Sequence, residues 1–157
     1  MRALLDAAPE RYAVIDGGTN SIKFHIAERA VDGSFRKLVD RADLSRIEGR
    51  PAPDLLVAMG GAVTNIAAVK HALRVYNADI VQGTVLDRVE IDRQIELYRS
   101  RNAAQRRAIV DLQPKRAEII LAGACIVRSV MDKLHQNILT VSDRGLRHGL
   151  LIERFGT

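Results

Sequence analysis

One stretch near the start of the chain combines the residue types that bind phosphate. It runs from Tyr12 to Ala27 and reads Y-A-V-I-D-G-G-T-N-S-I-K-F-H-I-A. An apolar run ends at Asp16, and the alternation of apolar and polar residues resumes at Ile22. This pattern predicts a β-hairpin. Its tip consists of small and polar residues, namely Gly17, Gly18, Thr19, Asn20 and Ser21.

The chemistry of the tip predicts a phosphate-binding loop. Glycine permits positive φ and lets a ligand approach the backbone. Turn N–H groups and the hydroxyls of Thr19 and Ser21 can then converge on phosphate oxygens. Asp16, at the end of a strand, is placed to hold Mg²⁺ directly or through water. A plain Gly-Thr-Asn turn explains the same letters, because Asp-Gly hairpins are common, so both interpretations stand.

A second pair of glycines follows a short, continuously apolar run over residues 55–59, which predicts a buried strand. Gly60 and Gly61 lead from this run into a helical pattern that starts near Val63. The first-turn N–H groups of a helix are free, so this turn is a candidate anion or nucleotide site to which Thr64 adds a hydroxyl. The alternative is a tight turn that needs glycine for packing.

The remaining patterns predict an α/β domain with a mixed sheet. A third strand over residues 35–40 completes an antiparallel meander, and a Pro- and Gly-containing linker follows it. An irregular segment over 77–85 comes next, and its Thr84 is predicted to cap the following helix. The later elements, in chain order, are helices over 87–99 and 102–110, a long helix opened by Pro114, a strand over 138–142 and a closing helix over 146–154.

Two residues near the start of the closing helix carry positive charge or titrate. The helix macrodipole does not favour a cation at a helix N-terminus. We therefore expect Arg147 to have a specific partner, either an acid or a phosphate. We interpret His148 as an ordinary surface histidine.

Composition narrows the function classes. Aromatic residues make up 4% of the 157 residues and tryptophan is absent, which predicts an aliphatic core. The formal charge of +5 suits an anionic ligand, but aromatic residues do not interleave with the arginines, so nucleic acid is not expected. Cys125 is the only cysteine and is predicted to be buried. The sequence has neither a membrane-spanning run nor a signal peptide, which predicts a cytoplasmic protein.

Four motifs stand together in this chain: I-D-G-G-T-N-S, V-A-M-G-G-A-V-T-N-I-A-A, I-L-A-G-A and L-T-V-S-D-R-G-L-R-H-G-L-L. Together they resemble the exopolyphosphatase / guanosine pentaphosphate phosphohydrolase family (Ppx/GppA), over nearly all of residues 11–153. The resemblance implies the actin-like ATPase fold with ribonuclease-H-like lobes. It also implies a Mg²⁺-dependent hydrolase that releases terminal phosphate from polyphosphate or guanosine pentaphosphate.

The resemblance also implies roles for individual residues. Residues 16–21 would be the first phosphate loop, with Asp16 near the metal. Gly60, Gly61 and Thr64 would match the adenosine-type motif, which lines the cleft between lobes in this family. Residues 142–149 would match the C-terminal S-x-x-G-L-R-x-G element.

The chain departs from the family in its middle. Members are considerably longer, and nothing here resembles the second phosphate loop, Asp-x-Gly-Gly-Gly-Ser, or the E-G-x-x-E-A segment that supplies the catalytic glutamate; Glu48-Gly49 only echoes it. We therefore expect an internally deleted member and assign no catalytic residue. The alternative function is a truncated phosphate- or nucleotide-binding module, weakly active or inactive, that acts by assembly with a partner.

These departures lead to a hypothesis of one composite domain over 11–157. A first-lobe-like meander (11–40) and a linker (41–54) would precede a second-lobe-like α/β part (55–157). The meander would replace the lost second-lobe meander, which requires its first strand to lie beside the strand at 55–59. A lost lobe should also expose an apolar face, which predicts a homodimer through that face.

Overall fold

The computed structural model describes residues 10–17, 22–41, 52–145, 148, 149 and 154. Its strands are β1 (Glu10–Gly17), β2 (Ile22–Arg29), β3 (Phe35–Arg41), β4 (Leu55–Met59), β5 (Val85–Asp87) and β6 (Ile138–Ser142). Its helices are α1 (Gly61–His71), α2 (Ala78–Val81), α3 (Arg88–Arg99), α4 (Ala103–Arg106) and α5 (Ile120–Lys133), with a 3₁₀ turn at Pro114–Arg116.

The first three strands form the predicted antiparallel meander. β1 pairs with β2, and β2 pairs with β3. The turn between β2 and β3 is fixed by Asp32, whose Oδ1 accepts hydrogen bonds from the Ser34 N–H at 2.9 Å and from its hydroxyl at 2.6 Å. Gly33 adopts a φ of 83°, which glycine tolerates without steric cost.

All six strands join one mixed sheet in the order β3-β2-β1-β4-β6-β5. β1 lies parallel to β4, with Val14 opposite Val57, so the predicted adjacency of these two strands is confirmed. The Arg11 N–H donates to the Asp54 carboxylate at 2.7 Å, and the Asp54 N–H donates to the Arg11 carbonyl at 3.0 Å. The division of the chain into first-lobe-like and second-lobe-like parts stays a prediction.

Alternation along the strands directs one face of the sheet into an aliphatic core. Buried strand residues include Ala13, Ile15, Leu56, Ala58, Leu139 and Val141, and they pack in one cluster with buried residues of α1, α3 and α5. The core also encloses Tyr98, whose hydroxyl donates to Gln94 Oε1 at 2.5 Å. Gln94 Nε2 in turn donates to the Ile66 carbonyl at 2.8 Å, so these buried polar atoms are paired.

The segment predicted to be irregular contains two short elements. Asn77 caps α2, since its Oδ1 accepts from the Asp79 N–H at 2.9 Å. β5 follows and pairs antiparallel with β6. The prediction that Thr84 caps the next helix is wrong, because Asp87 fills that position and accepts from the Glu90 N–H at 2.7 Å. A three-residue strand is too short to show a period in sequence.

The predicted start of the long helix is also wrong. Pro114 opens a separate 3₁₀ turn, and α5 begins at Ile120. Gly123 allows α5 to approach α1, because a Cβ built there would lie 2.9 Å from the Cβ of Ala62. Cys125 is half-buried rather than buried.

Two further expectations concern the end of the chain and membranes. His148, Gly149 and Arg154 are helical, and the rest of the predicted closing helix lies outside the described residues. Among the described helices, none has the length and apolar character needed to cross a membrane.

Candidate functional site

The parallel strands β1, β4 and β6 end at the same edge of the sheet, where α/β proteins commonly bind ligands. A cavity of about 380 Å³ lies at this edge. Its wall includes Asp16 from β1, Met59 and Gly60 at the end of β4, Gly61 and Thr64 from α1, and Ser142 and Asp143 at the end of β6. The fold thus brings together residues from three separate parts of the sequence.

Gly60 shapes the entry from β4 into α1. Its φ of 101° and ψ of 166° fall in a region that is essentially restricted to glycine. No side chain caps α1, and its first turn contains no acidic residue. The Thr64 hydroxyl donates to the Gly60 carbonyl at 3.3 Å. Because this helix N-terminus has neither a capping side chain nor an acid in its own first turn, its free N–H groups are suited to an anion.

Packing accounts for the second glycine of the pair. A Cβ built on Gly61 would lie 2.2 Å from Nη2 of Arg116. Asn65 is buried and braces the same turn, since its Nδ2 donates to the Gly61 carbonyl at 2.8 Å and its Oδ1 accepts from the Gln113 N–H at 2.9 Å. The Arg116 side chain therefore packs directly against the start of α1, in the space that a side chain at position 61 would fill.

The turn after β6 is held by two residues from the connection between α1 and β5. Gln82 Oε1 accepts from the Asp143 N–H at 2.9 Å and from the Ser142 hydroxyl at 3.4 Å. The Tyr76 hydroxyl donates to Asp143 Oδ1 at 2.5 Å. Burial raises the pKa of Tyr76, and the bond to Asp143 raises it further, while Thr64 acts in the opposite direction. Tyr76 is therefore a protonated donor at neutral pH.

The described wall of the cavity carries more negative than positive side-chain charge. Its titratable residues are Asp16, Asp143 and His148, and none of the described lining residues is a lysine or an arginine. Within the described ranges, no group of three or more His, Cys, Asp or Glu side chains forms a metal site. A phosphate bound here would need the N–H groups of α1 and a cation to offset this negative charge.

Some of the predicted site residues lie on the cavity wall, and others lie outside the described residues. Asp16, Gly60, Gly61 and Thr64 line one cavity, as a shared site requires. Gly17 is the last residue of β1. The other predicted phosphate-binding residues lie outside the described residues, namely Gly18, Thr19, Asn20, Ser21 and Arg147. The role of each predicted residue stays a prediction.

Neither Asp143 nor its partner Tyr76 was predicted from the sequence as an individual site residue, and His148 was predicted to be an ordinary surface histidine. His148 is exposed but lines the cavity. A signal for Asp143 was available, because it follows an apolar strand as Asp16 does. The link to Tyr76 joins residues 67 positions apart, and no spacing rule reveals such a contact.

The sequence matches the model of the Ppx/GppA phosphatase family over residues 11–157. The chain belongs to this family. The family predicted from the four motifs is therefore confirmed.

Several known proteins are similar to this Ppx/GppA chain in structure or in sequence. The Ppx/GppA phosphatase of Aquifex aeolicus has a similar structure, with a TM-score of 0.80 at 20% identity over 94% of this chain and 58% of that one. An exopolyphosphatase from Cytophaga hutchinsonii gives a TM-score of 0.70 at 15% identity, over 94% and 57%. The bifunctional 3-dehydroquinate synthase/phosphatase of Fusobacterium nucleatum is 24% identical over 98 residues, which are 62% of this chain and 14% of that protein.

These comparisons confirm the predicted α/β, actin-like ATPase fold. Nearly all of this chain aligns, yet it spans only 58% of the Aquifex protein's length and 14% of the Fusobacterium protein's length. That coverage is consistent with the internal deletion expected from the sequence.

Proposed function

We propose that this protein is a phosphoanhydride hydrolase that releases terminal phosphate from polyphosphate or guanosine pentaphosphate. The observation that supports this proposal most strongly is the cavity at which Asp16, the Gly60-Gly61 turn and the Ser142–Asp143 turn meet. Membership of the Ppx/GppA phosphatase family supports phosphate-ester or anhydride chemistry. Phosphoryl transfer depends mainly on positioning and on charge stabilisation. The residues at this edge of the sheet would supply the positioning, and a bound cation would supply the positive charge.

The residues present fit Mg²⁺. This ion usually takes one or two carboxylates, several waters and phosphate oxygens rather than a full protein cage. Asp16 would hold it. When bound, the ion would supply positive charge that offsets the negative charge of the phosphate oxygens and of the Asp16 carboxylate.

The protein's own groups would bind and orient the phosphate chain. N–H groups at the start of α1 and the hydroxyl of Thr64 would contact one end of the ligand, and the loop of residues 17–21 would contact phosphate oxygens from the side of β1. Arg147 would provide a cation for a further phosphate or would pair with an acid.

A second candidate function is binding without turnover. The observation that favours it is that nothing in the sequence resembles the second phosphate loop, Asp-x-Gly-Gly-Gly-Ser, or the E-G-x-x-E-A segment with the catalytic glutamate. Such a module would bind polyphosphate or a guanosine nucleotide and act through a partner. Homodimerisation through the face exposed by the missing lobe is part of this proposal, and light scattering that shows a monomer at high concentration would contradict it.

The test is phosphate release from long-chain polyphosphate by residues 1–157, with and without Mg²⁺. We expect release that requires Mg²⁺ and disappears in Asp16→Ala. Asp79→Ala is the control, because Asp79 is exposed on α2 and lies off the cavity wall. Absence of release from a cooperatively folded protein would contradict the hydrolase and favour the binding module. Guanosine pentaphosphate, assayed in parallel, decides between the two substrates.

The cytoplasmic location expected from the sequence stays a prediction that cell fractionation would check.

A further inference from the structure

Hydrolysis of a phosphoanhydride needs a group that orients the attacking water and takes its proton. In the described cavity wall, the candidates are Asp16, Asp143 and His148. The following inference rests on the proposed function, and it assigns this group.

Asp143 is the candidate whose position the fold fixes most completely. Its N–H donates to Gln82 Oε1 at 2.9 Å, and its Oδ1 accepts from the Tyr76 hydroxyl at 2.5 Å. The preceding residue, Ser142, is tied in as well, because its Oγ accepts from the Arg144 N–H at 3.2 Å. Backbone and carboxylate are therefore both restrained before any ligand binds.

The restraint comes from outside the turn itself. Tyr76 and Gln82 belong to the connection between α1 and β5. In the sequence they precede Asp143 by 67 and 61 residues, respectively. Gln82 lies next to Gly83, whose N–H donates to the Val141 carbonyl at 2.9 Å, so the connection is also anchored on β6. A carboxylate has about four acceptor positions, and Tyr76 uses one of them.

The other two candidates fit different tasks. Asp16 ends β1 beside the predicted phosphate loop and is the proposed metal ligand. His148 has an exposed side chain, and only its backbone N–H is held, by donating to the Gly145 carbonyl at 2.9 Å, so the fold fixes its ring less than it fixes the Asp143 carboxylate. Preorganised groups are worth most in catalysis because they need no rearrangement during reaction.

We propose that Asp143 is the catalytic residue that orients the attacking water, and that Tyr76 is a positioning residue that holds Asp143. In the step, the water oxygen forms a bond to the terminal phosphorus and its proton passes to the Asp143 carboxylate. The bond between that phosphorus and the bridging oxygen breaks, and the electron pair stays on the bridging oxygen of the departing chain. The products are orthophosphate and a chain shortened by one phosphate, and the proton on Asp143 returns to solvent.

The test compares Asp143→Asn with Asp79→Asn in the full chain. Both changes remove one negative charge, but Asp79 is exposed on α2 and away from the cavity. For Asp143→Asn we expect kcat for polyphosphate to fall about 10²- to 10⁴-fold, the usual contribution of a general base. Affinity for inorganic orthophosphate with Mg²⁺, measured by calorimetry, should change less than about threefold, and Asp79→Asn should match the wild type.

Tyr76→Phe tests the positioning role, because it removes only the hydroxyl. We expect kcat to fall by up to about 10²-fold, the cost of misplacing a reacting group by about 1 Å, with KM and the melting temperature unchanged. If Asp143→Asn fails to fold, Asp143→Glu keeps the acid while displacing it, and it should fold with reduced kcat. A purely structural role would instead lower the melting temperature and phosphate affinity together with kcat.

Each contrary outcome has a distinct meaning. An active wild type with an equally active Asp143→Asn overturns this inference and leaves the proposed function intact. An inactive wild type that still binds orthophosphate overturns both. An impaired Asp143→Asn beside an unaffected Tyr76→Phe overturns the role of Tyr76.

Discussion

The hairpin half of the molecule, β1–β3, and the helical half, residues 53–145, differ in how they are stabilised. In the helical half, α1, α3 and α5 enclose a core with a paired polar cluster around Tyr98 and Gln94. In the hairpin half, the described side chains of β3 are largely exposed, and Phe35 is 65% exposed. The hairpin half is joined to the helical half through the pairing of β1 with β4.

The two halves also differ in how much of the predicted phosphate-binding pattern and of the described cavity wall they contain. The sequence places its richest phosphate-binding pattern at the tip between β1 and β2, whereas most of the described cavity wall comes from the helical half. Only Asp16 among those wall residues belongs to the hairpin half. The described part of the cavity wall therefore comes mainly from the helical half, and the contribution of residues 18–21 stays a prediction.

The largest expected contrast is in stability. Tyr98 is fully buried, so Tyr98→Ala should lower the free energy of unfolding by about 3–5 kcal/mol. Phe35→Ala in the hairpin half should cost less than about 1 kcal/mol, because the ring is mostly exposed. Urea denaturation of both variants measures this, and similar losses would contradict the contrast. Tyr98→Phe isolates the hydroxyl and should cost about 1–3 kcal/mol, since Gln94 Oε1 loses its donor.

A second contrast uses two glycines with positive φ, one in each half. Gly60 has a φ of 101° and Gly33 a φ of 83°, so replacing either by alanine should cost about 1–3 kcal/mol. Only Gly60 lines the cavity. We therefore expect Gly60→Ala to weaken binding of orthophosphate with Mg²⁺, whereas Gly33→Ala should bind as the wild type does. Equal affinities in the two variants would show that the Gly60 turn does not contact the ligand.

The smallest expected effects concern one paired acid in each half, of which Glu28 in the hairpin half is the buried one. Hydrogen bonding from Arg36, together with Arg11, lowers the pKa of Glu28 below its ordinary value of 4.5. Because the folded state favours the carboxylate, the stabilisation is present above that ordinary value and is lost as the pH falls through the lowered pKa. The free energy of unfolding of the wild type should therefore exceed that of Glu28→Gln at neutral pH, and the difference should close in acid.

The matched change in the helical half is Glu118→Gln. Glu118 forms an ion pair with Arg107, and both side chains are exposed. Exposed pairs contribute little, so this change should stay within about 0.5 kcal/mol of the wild type near neutral pH. Urea unfolding at several pH values checks both variants. A Glu28 difference that persists unchanged in acid would contradict the assigned cause.

The sequence allowed most of the fold to be predicted where periodicity was long enough. The meander, β4, α3 and β6 have runs that distinguish strands from helices, and the adjacency of β1 and β4 followed from the family resemblance. The short strand β5 and the 3₁₀ turn at Pro114–Arg116 were missed because each is only three residues long. Elements of that length depend on tertiary contacts rather than on their own pattern.

The candidate site was only partly predictable for a related reason. Gly60 and Gly61 stand in a strand–turn–helix pattern that has a local mechanism. Asp143 depends on β6 lying parallel beside β4, and Tyr76 on a contact across 67 residues. Sequence spacing carries local geometry, whereas the convergence of distant strand ends is a property of the sheet.

The central claim is that phosphate binds where β1, β4 and β6 end. The most direct test is a titration of the labelled protein with pyrophosphate and Mg²⁺, followed by proton–nitrogen correlation spectra. The account predicts that amide signals of Gly60, Gly61, Thr64, Ser142 and Asp143 shift together, while those of the Asp32–Ser34 turn stay in place. Shifts confined to the hairpin half, or spread over its exposed basic side chains and lost with salt, would contradict it.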